Sequence, residues 1–243
     1  MTVTTSKTNY LSSDFYFAQD ALTARENDNI HDLRAYLESE VAPIADDFWE
    51  RAEFPHQVIK PLAELGAYGP IWEESRQFEN TAKYRGWAAL ESGRVDGSVS
   101  TFIGVTSGLA MGSIGLAGSP EQRAEWLPKM ATGEVIGAFG LTEPLSGSDA
   151  AGGLRTTATR HGDSWTLNGQ KRWIGNATFA DVVVIWARDT ADGQVKGFLV
   201  TTDTPGFTAT KIERKQSLRI VQNADITMTD VVVPEERRLQ LAN

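Results

Sequence analysis

The residues best suited to chemistry in this chain fall in one stretch, Gly137 to Asp149, which reads Gly-Ala-Phe-Gly-Leu-Thr-Glu-Pro-Leu-Ser-Gly-Ser-Asp. It starts as an apolar strand, breaks at Glu143-Pro144 and becomes a small polar loop. Thr142, Ser146 and Ser148 bring hydroxyls, and the backbone N–H groups around Gly147 can form a nest for phosphate oxygens. Phe139 and Leu141 offer apolar surface to a ring. On local pattern alone, an ordinary strand followed by a turn accounts for the stretch equally well.

The elements around this loop decide what it can be. Before it the chain reads as helix and after it as strand. That places the loop on a seam between a helical domain, 1–136, and a β domain, 137–243, where a ligand is expected to sit. In the helical part, Asn27 or Asp28 can cap a helix. Ile30, Leu33, Leu37, Val41, Ile44 and Phe48 then follow at steps of three and four, with Pro43 expected to bend or break it. Phe54-Pro55 opens a second helix that ends near Gly66, and Tyr68 to Glu74 reads as loop. Phe78 to Asp96 reads as a third helix with Tyr84, Trp87 and Leu90 inward. Ser98 to Leu116 carries no charge, and Gly104, Gly108 and Gly112 repeat along one stripe. Glycine weakens a helix, so the stripe implies a close approach, and a packed neighbouring helix is the favoured explanation over a thin ligand. The length of Gly97 to Pro120 would span a membrane, but its glycines and hydroxyls fit a helix buried in a soluble protein better. Ser119-Pro120-Glu121-Gln122 is a capping box, and Gly133 stops that helix.

After Asp149 the period shortens. Asn168-Gly169 reads as a hairpin turn between Trp165–Leu167 and Gln170–Ile174. The valine run from Asp181 to Arg188 reads as a buried strand, and Val195–Thr202, Phe207–Ile212 and Ile226–Val233 complete a small antiparallel sandwich or barrel.

Composition removes several functions. The net charge of −9, from 23 basic and 32 acidic residues, is unsuited to nucleic acid. With no cysteine there is no disulfide, thiolate metal site or cysteine nucleophile. Residues Met1 to Asn9 are polar and lack the apolar core of a secretory signal, so a cytoplasmic location is expected. No Gly-x-Gly-x-x-Gly, Walker or Gly-x-Ser-x-Gly pattern occurs, and His31, His56 and His161 lack metal-ligand spacing. A cofactor, if bound, is held by other means than a dinucleotide fingerprint.

Phe139 to Asp149, followed by Leu167 to Asn176 (Leu-Asn-Gly-Gln-Lys-Arg-Trp-Ile-Gly-Asn), resembles the acyl-CoA dehydrogenase family. The resemblance runs from about Asn27 to the end of the chain. It looks closest to the glutaryl-CoA dehydrogenase branch and to the related short-chain acyl-CoA oxidase of plant peroxisomes. It implies FAD as cofactor and oxidation of the α,β bond of an acyl-CoA. A carboxylate takes the α-proton, and the β-hydrogen leaves as hydride to the flavin. Electrons then pass to an electron-transferring flavoprotein or to O2.

By the same resemblance, Phe139, Gly140, Leu141 and Thr142 would bind the flavin ring, and Gly147 and Ser148 would reach cofactor phosphates and the CoA arm. Trp173 would lie against the isoalloxazine, with Ile174 and Gly175 backbone nearby. Ser100 and Thr101 would line the acyl end of the pocket. The family usually has threonine where this chain has Gly175, while the plant oxidase shares Trp-Ile-Gly-Asn, so oxidase chemistry stays open. Glutaryl-CoA dehydrogenases carry arginine where Ser100 stands, so a short, uncharged acyl chain is expected. The family's catalytic glutamate belongs to a C-terminal helical bundle, and no carboxylate of this chain matches it. Glu143 and Asp149 read as structural. The chain is therefore expected to be a truncated form, inactive alone, of an enzyme that is a tetramer in full-length members. A non-catalytic flavin- or acyl-CoA-binding module is the remaining alternative. The reading stands on the corner after Leu141 and Trp173 converging on one planar heterocycle.

Overall fold

The computed structural model describes residues 11 and 14–242; the polar Met1–Asn9 stretch lies outside them. Helix α1 (Ala24–Tyr36) starts at Thr23, whose hydroxyl accepts from the Glu26 N–H while the Glu26 carboxylate accepts from the Thr23 N–H. This reciprocal cap, rather than Asn27 or Asp28, sets the start, because it satisfies two backbone donors at once. The chain does not break at Pro43. A π-helical turn, Leu37–Val41, joins α1 to α2 (Ala42–Arg51), so that proline falls in a first turn where its missing N–H is tolerated.

Helix α3 (Ile59–Glu64) ends before Gly66, which is left-handed. Helix α4 (Ala82–Val95) begins at Thr81, later than its apolar pattern indicates; Tyr84 is buried but Leu90 is exposed.

The uncharged segment forms α5 (Gly97–Ile103) and α6 (Met111–Ala117), continuous through a second π-helical turn, Gly104–Ala110. By length and composition this helix could cross a membrane, yet one face is packed: Phe102, Ala110, Met111 and Ile114 are fully buried. The other face is open, with Gly104, Gly108, Leu109 and Leu116 exposed, so it is not wholly buried as the sequence implies. Nor does the glycine stripe mark a packed neighbouring helix. A Cβ on Gly104, Gly108 or Gly112 would meet nothing within 4 Å; close packing occurs instead at Gly115, against the Trp72 indole. Helix α7 (Pro120–Ala131) carries the expected capping box of Ser119 and Gln122.

The β domain is one curled seven-stranded sheet. Strands β1 (Gly137–Gly140), β2 (Thr157–His161) and β3 (Ser164–Ile174) are followed by β4 (Val182–Asp189), β5 (Val195–Thr201), β6 (Phe207–Lys211) and β7 (Ala224–Pro234). The short helix α8 (Ala150–Gly153) lies between β1 and β2. Its order is β1-β4-β2-β3-β7-β6, with β5 on the other edge of β4. Pairing is mixed, since β1 and β2 both run parallel to β4. Val182 to Ile185 are fully buried, as their apolar run requires.

Asn168-Gly169 is not a hairpin turn. It is a bulge within the continuous β3, while the turn lies at Gly162-Asp163. The Asn168 side chain is engaged across the sheet: its carbonyl accepts from the Asp230 N–H at 2.8 Å, and its amide donates to the Asp230 carboxylate at 3.0 Å. Two inter-strand bonds thus outweigh the local turn preference.

Helices and sheet share one core. Phe54, Phe102 and Phe179 meet where the layers join, with Phe54 stacked on Phe179 at 5.1 Å. The C-terminal carbonyls of α2 are capped from the β domain: Arg219 donates to Trp49 O and Glu50 O, and Lys211 and Gln222 donate to Ala52 O. Cations at that end also complement the helix dipole.

Candidate functional site

Strand β1 delivers the Leu141 corner to the seam, and its glycines are there for fit. A Cβ on Gly137 would come within 2.4 Å of Met130 Cε and 2.6 Å of Ala110 Cβ; one on Gly140 would come within 2.6 Å of Ile185 Cδ1. Beyond the corner, Glu143 and Ser146 exchange two backbone hydrogen bonds that close the turn.

The buried Glu143 carboxylate holds this turn to the sheet. It accepts from the N–H groups of Arg155 at 2.7 Å and Thr156 at 2.9 Å, and from Lys171 Nζ at 2.8 Å. Lys171, fully buried on β3, also donates to Leu141 O at 3.2 Å. Burial pushes the Glu143 carboxyl up, but Lys171 and the two N–H groups outweigh it and hold it below the usual carboxylate range. Burial lowers Lys171 in turn, with Glu143 opposing. The Glu143 carboxylate is thus engaged within the fold, by two backbone N–H groups and one ammonium. Asp149 also holds its own loop, accepting from Gly152 N–H on its side chain and from the Ser146 hydroxyl on its carbonyl.

The second motif arrives at the end of β3. Arg172 N–H donates to Thr142 O at 2.8 Å, which sets the Leu141–Thr142 corner directly beside Trp173. Trp173 is left-handed at φ 64° and 52% exposed, unusual for so large an apolar side chain. The Arg172 guanidinium lies 5.5 Å from its ring. Ile174 is buried; Gly175 packs against the helical layer, where a Cβ would meet Val105 Cγ2 at 3.2 Å. Asn176, buried and left-handed, reaches toward Thr106 Oγ1 and Gly137 O at 3.4 and 3.5 Å, joining the three elements of the seam.

Phe139 is half-buried, edge-on to Trp186 at 6.3 Å. Gly147 and Ser148 are exposed at the far end of the loop, with open space around Gly147 and no hydrogen bond from the Ser148 hydroxyl among the described residues. Ser146 is turned inward, bonded to Asp149 O, and does not line the seam as the sequence implies.

A groove of about 280 Å³ opens beside the helix that runs from Gly97 to Ala117, lined by Ser92, Ser100, Ile103, Gly104, Ser107 and Gly108 among others. Ser100 faces it, 3.4 Å from Ser92 Oγ. Thr101 does not; its hydroxyl donates to Gly97 O along the helix. Sequence reasoning missed Lys171, Asn176 and Asn223. The signal for Lys171 was legible, because a lysine at an inward position of an alternating strand needs a buried counter-charge.

These features define a protein that is helical and then β, in which the Arg172–Thr142 backbone bond brings the two motifs together. Residues 23–134 match the family description "Acyl-CoA dehydrogenase, N-terminal domain" and residues 138–231 match "Acyl-CoA dehydrogenase, middle domain". The chain belongs to the acyl-CoA dehydrogenase family and carries its N-terminal and middle domains. Among solved structures it is similar to a glutaryl-CoA dehydrogenase from Mycobacterium smegmatis in complex with FADH2. That match has 38% identity and a TM-score of 0.88, and covers 94% of this chain and 58% of that one. It is 35% identical over 207 residues to a probable acyl-CoA dehydrogenase of Bacillus subtilis, YngJ, covering 83% of this chain and 54% of that protein. It is also 35% identical over 210 residues to the mitochondrial short-chain specific acyl-CoA dehydrogenase of Mus musculus, covering 85% and 51%. The chain spans about half the length of the curated relatives it matches.

Proposed function

We propose that this chain forms the flavin-binding part of an FAD-dependent acyl-CoA dehydrogenase acting on a short, uncharged acyl thioester. The observation that carries the reading is the 2.8 Å bond from Arg172 N–H to Thr142 O, which brings the two motifs to one place. The residues there suit FAD: an aromatic face left half uncovered at Trp173, a hydroxyl and backbone donors at Thr142, and open, small residues at Gly147 and Ser148. Bound there, FAD supplies a hydride acceptor.

The chain's own residues hold and shield. Trp173, with Phe139 and Leu141, excludes water from one side of the ring site, and Thr142 fixes its polar edge. Ser148 hydrogen-bonds phosphate oxygens of the cofactor or the CoA arm. The groove beside Ser100 takes the acyl chain; its wall at Ser100 is a hydroxyl, and the cation among its lining residues, Arg85, donates to Asn80 instead. Glu143 is committed to Lys171 and two N–H groups and takes no proton from substrate. The base for the α-proton is therefore proposed to come from outside these residues, and the chain alone to bind without turning over. In the whole enzyme, a homotetramer, the acceptor is an electron-transferring flavoprotein. Gly175, whose side is filled by Val105 and offers no hydroxyl, favours a second reading in which O2 is the acceptor.

The test is direct. FAD added to the 243-residue chain is expected to bind saturably, and Trp173→Ala to weaken that binding. In the whole protein a short acyl-CoA is expected to bleach the flavin anaerobically, and peroxide formed per enoyl-CoA separates the two acceptors. Absence of FAD binding by the wild-type chain would sink the reading. Binding without bleaching in the whole protein would leave a non-catalytic module.

A further inference from the structure

The segment joining β6 to β7 holds an arrangement that the seam itself does not explain. Two of its non-glycine residues are left-handed, Arg214 at φ 59° and Leu218 at φ 48°, conformations that need support from outside the residue. At Leu218 the Lys215 ammonium supplies it. It donates to Leu218 O at 2.6 Å, Val221 O at 2.5 Å and Asn223 Oδ1 at 2.7 Å, which uses all three of its protons. With its oxygen so occupied, Asn223 presents its amide nitrogen to the Trp173 carbonyl at 3.1 Å. An ammonium cannot accept a hydrogen bond, so Lys215 also fixes which way the Asn223 amide faces. Trp173, at the end of this chain of contacts, is left-handed like Leu218.

We propose that Lys215 is a positioning residue for Trp173: by orienting the Asn223 amide it holds the Trp173 peptide in its left-handed conformation and keeps the ring at the seam. The consequence for cofactor binding rests on the flavin reading above; the positioning itself does not. The surroundings make the clamp sensitive to pH. Burial, with repulsion from Lys211 on β6 and Arg219 in the same segment, pushes Lys215 down to about 8. Glu213 is spent on Lys211 at 3.6 Å, and Arg172 and Asp225 pair at 3.7 Å beside Trp173. Among the described residues no carboxylate is hydrogen-bonded to Lys215.

The experiment is 19F NMR of the full chain labelled with 5-fluorotryptophan, without flavin, titrated between about pH 6.5 and 9.5. Trp173→Phe assigns one of the seven resonances. In the wild type that resonance is expected to shift with a midpoint near 8; the others hold still as a check on the fold, apart from Trp49, which Arg219 of the same segment contacts. Lys215→Arg keeps the charge and should abolish the titration. Lys215→Met should sit at the high-pH position throughout. Asn223→Ala deletes the link while retaining the lysine, and should displace the resonance at every pH; it reads alone if Lys215→Met unfolds. A wild-type resonance that does not titrate, or one unmoved in both Lys215→Met and Asn223→Ala, overturns the proposal. FAD titrations of the same proteins separate the two claims. A displaced resonance with weaker FAD binding supports both, whereas a displaced resonance with unaltered FAD binding keeps the clamp and removes Trp173 from the flavin site.

Discussion

Each side of the seam is fixed through a lysine, and the two lysines work under different conditions. Lys171, on the Leu141 side, is fully buried against the Glu143 carboxylate. Lys215, on the Trp173 side, is half-buried against carbonyls and an amide, with other cations as its nearest charges. A buried ion pair holds its backbone as long as both partners are present, but removing one strands the other in low dielectric. A cation caged by neutral acceptors beside like charges holds its backbone only while protonated. The corner is thus the rigid wall of the site and Trp173 the adjustable one.

The largest test of that contrast is Lys171→Met, which leaves Glu143 buried without its counter-charge. A loss of about 3–5 kcal/mol is expected in denaturant unfolding. Adding Glu143→Gln should recover part of it, because glutamine strands no charge yet still accepts from the Arg155 or Thr156 N–H. A Lys171→Met loss no greater than that of a surface lysine would mean that the corner is not held this way.

Next come the glycines, which divide along the same line. Gly140→Ala drives a methyl toward Ile185 and should cost about 1–3 kcal/mol. Gly108→Ala meets nothing on its open helix face and should stabilise by up to about 1 kcal/mol through helix propensity. If both destabilise alike in thermal unfolding, the groove face is packed rather than open.

Two pH effects are smaller. Glu143 is held below its ordinary range, so in acid the folded state binds fewer protons than the unfolded one. The stability it contributes is present above the ordinary carboxylate value and is lost as pH falls through the lowered one; Glu143→Gln should flatten that acid limb. Lys215 runs the other way. Its folded value of about 8 lies below the ordinary lysine value of 10.5, so the unfolded chain binds more protons between the two. Wild-type stability should therefore rise relative to Lys215→Met over that interval, even as Trp173 is released. Denaturant midpoints across pH for both proteins check the sign; a fall instead of a rise would show that the three hydrogen bonds outweigh burial.

Much of this was legible in the chain, and the misses are instructive. Helix-then-strand order, the Ser119 capping box and the buried run at Val182–Ile185 follow from spacing within a few residues. The motif residues Thr142 and Trp173 were singled out, but spacing alone could not say that Arg172 would tie them together. Asn168-Gly169 misled because two bonds to Asp230, sixty-two residues away, outweigh its turn preference. The glycine stripe misled because a missing side chain marks open space as readily as close contact.

The order and kind of elements follow from the chain alone, since propensity, capping and alternation act between neighbours along the backbone. Which charges are walls and which are hinges depends on the folded arrangement. Glu143 meets Lys171 across twenty-eight residues, and Lys215 reaches Trp173 through Asn223 on a different strand junction. Whether a lysine holds unconditionally or only when protonated depends on the burial and neighbours those encounters create.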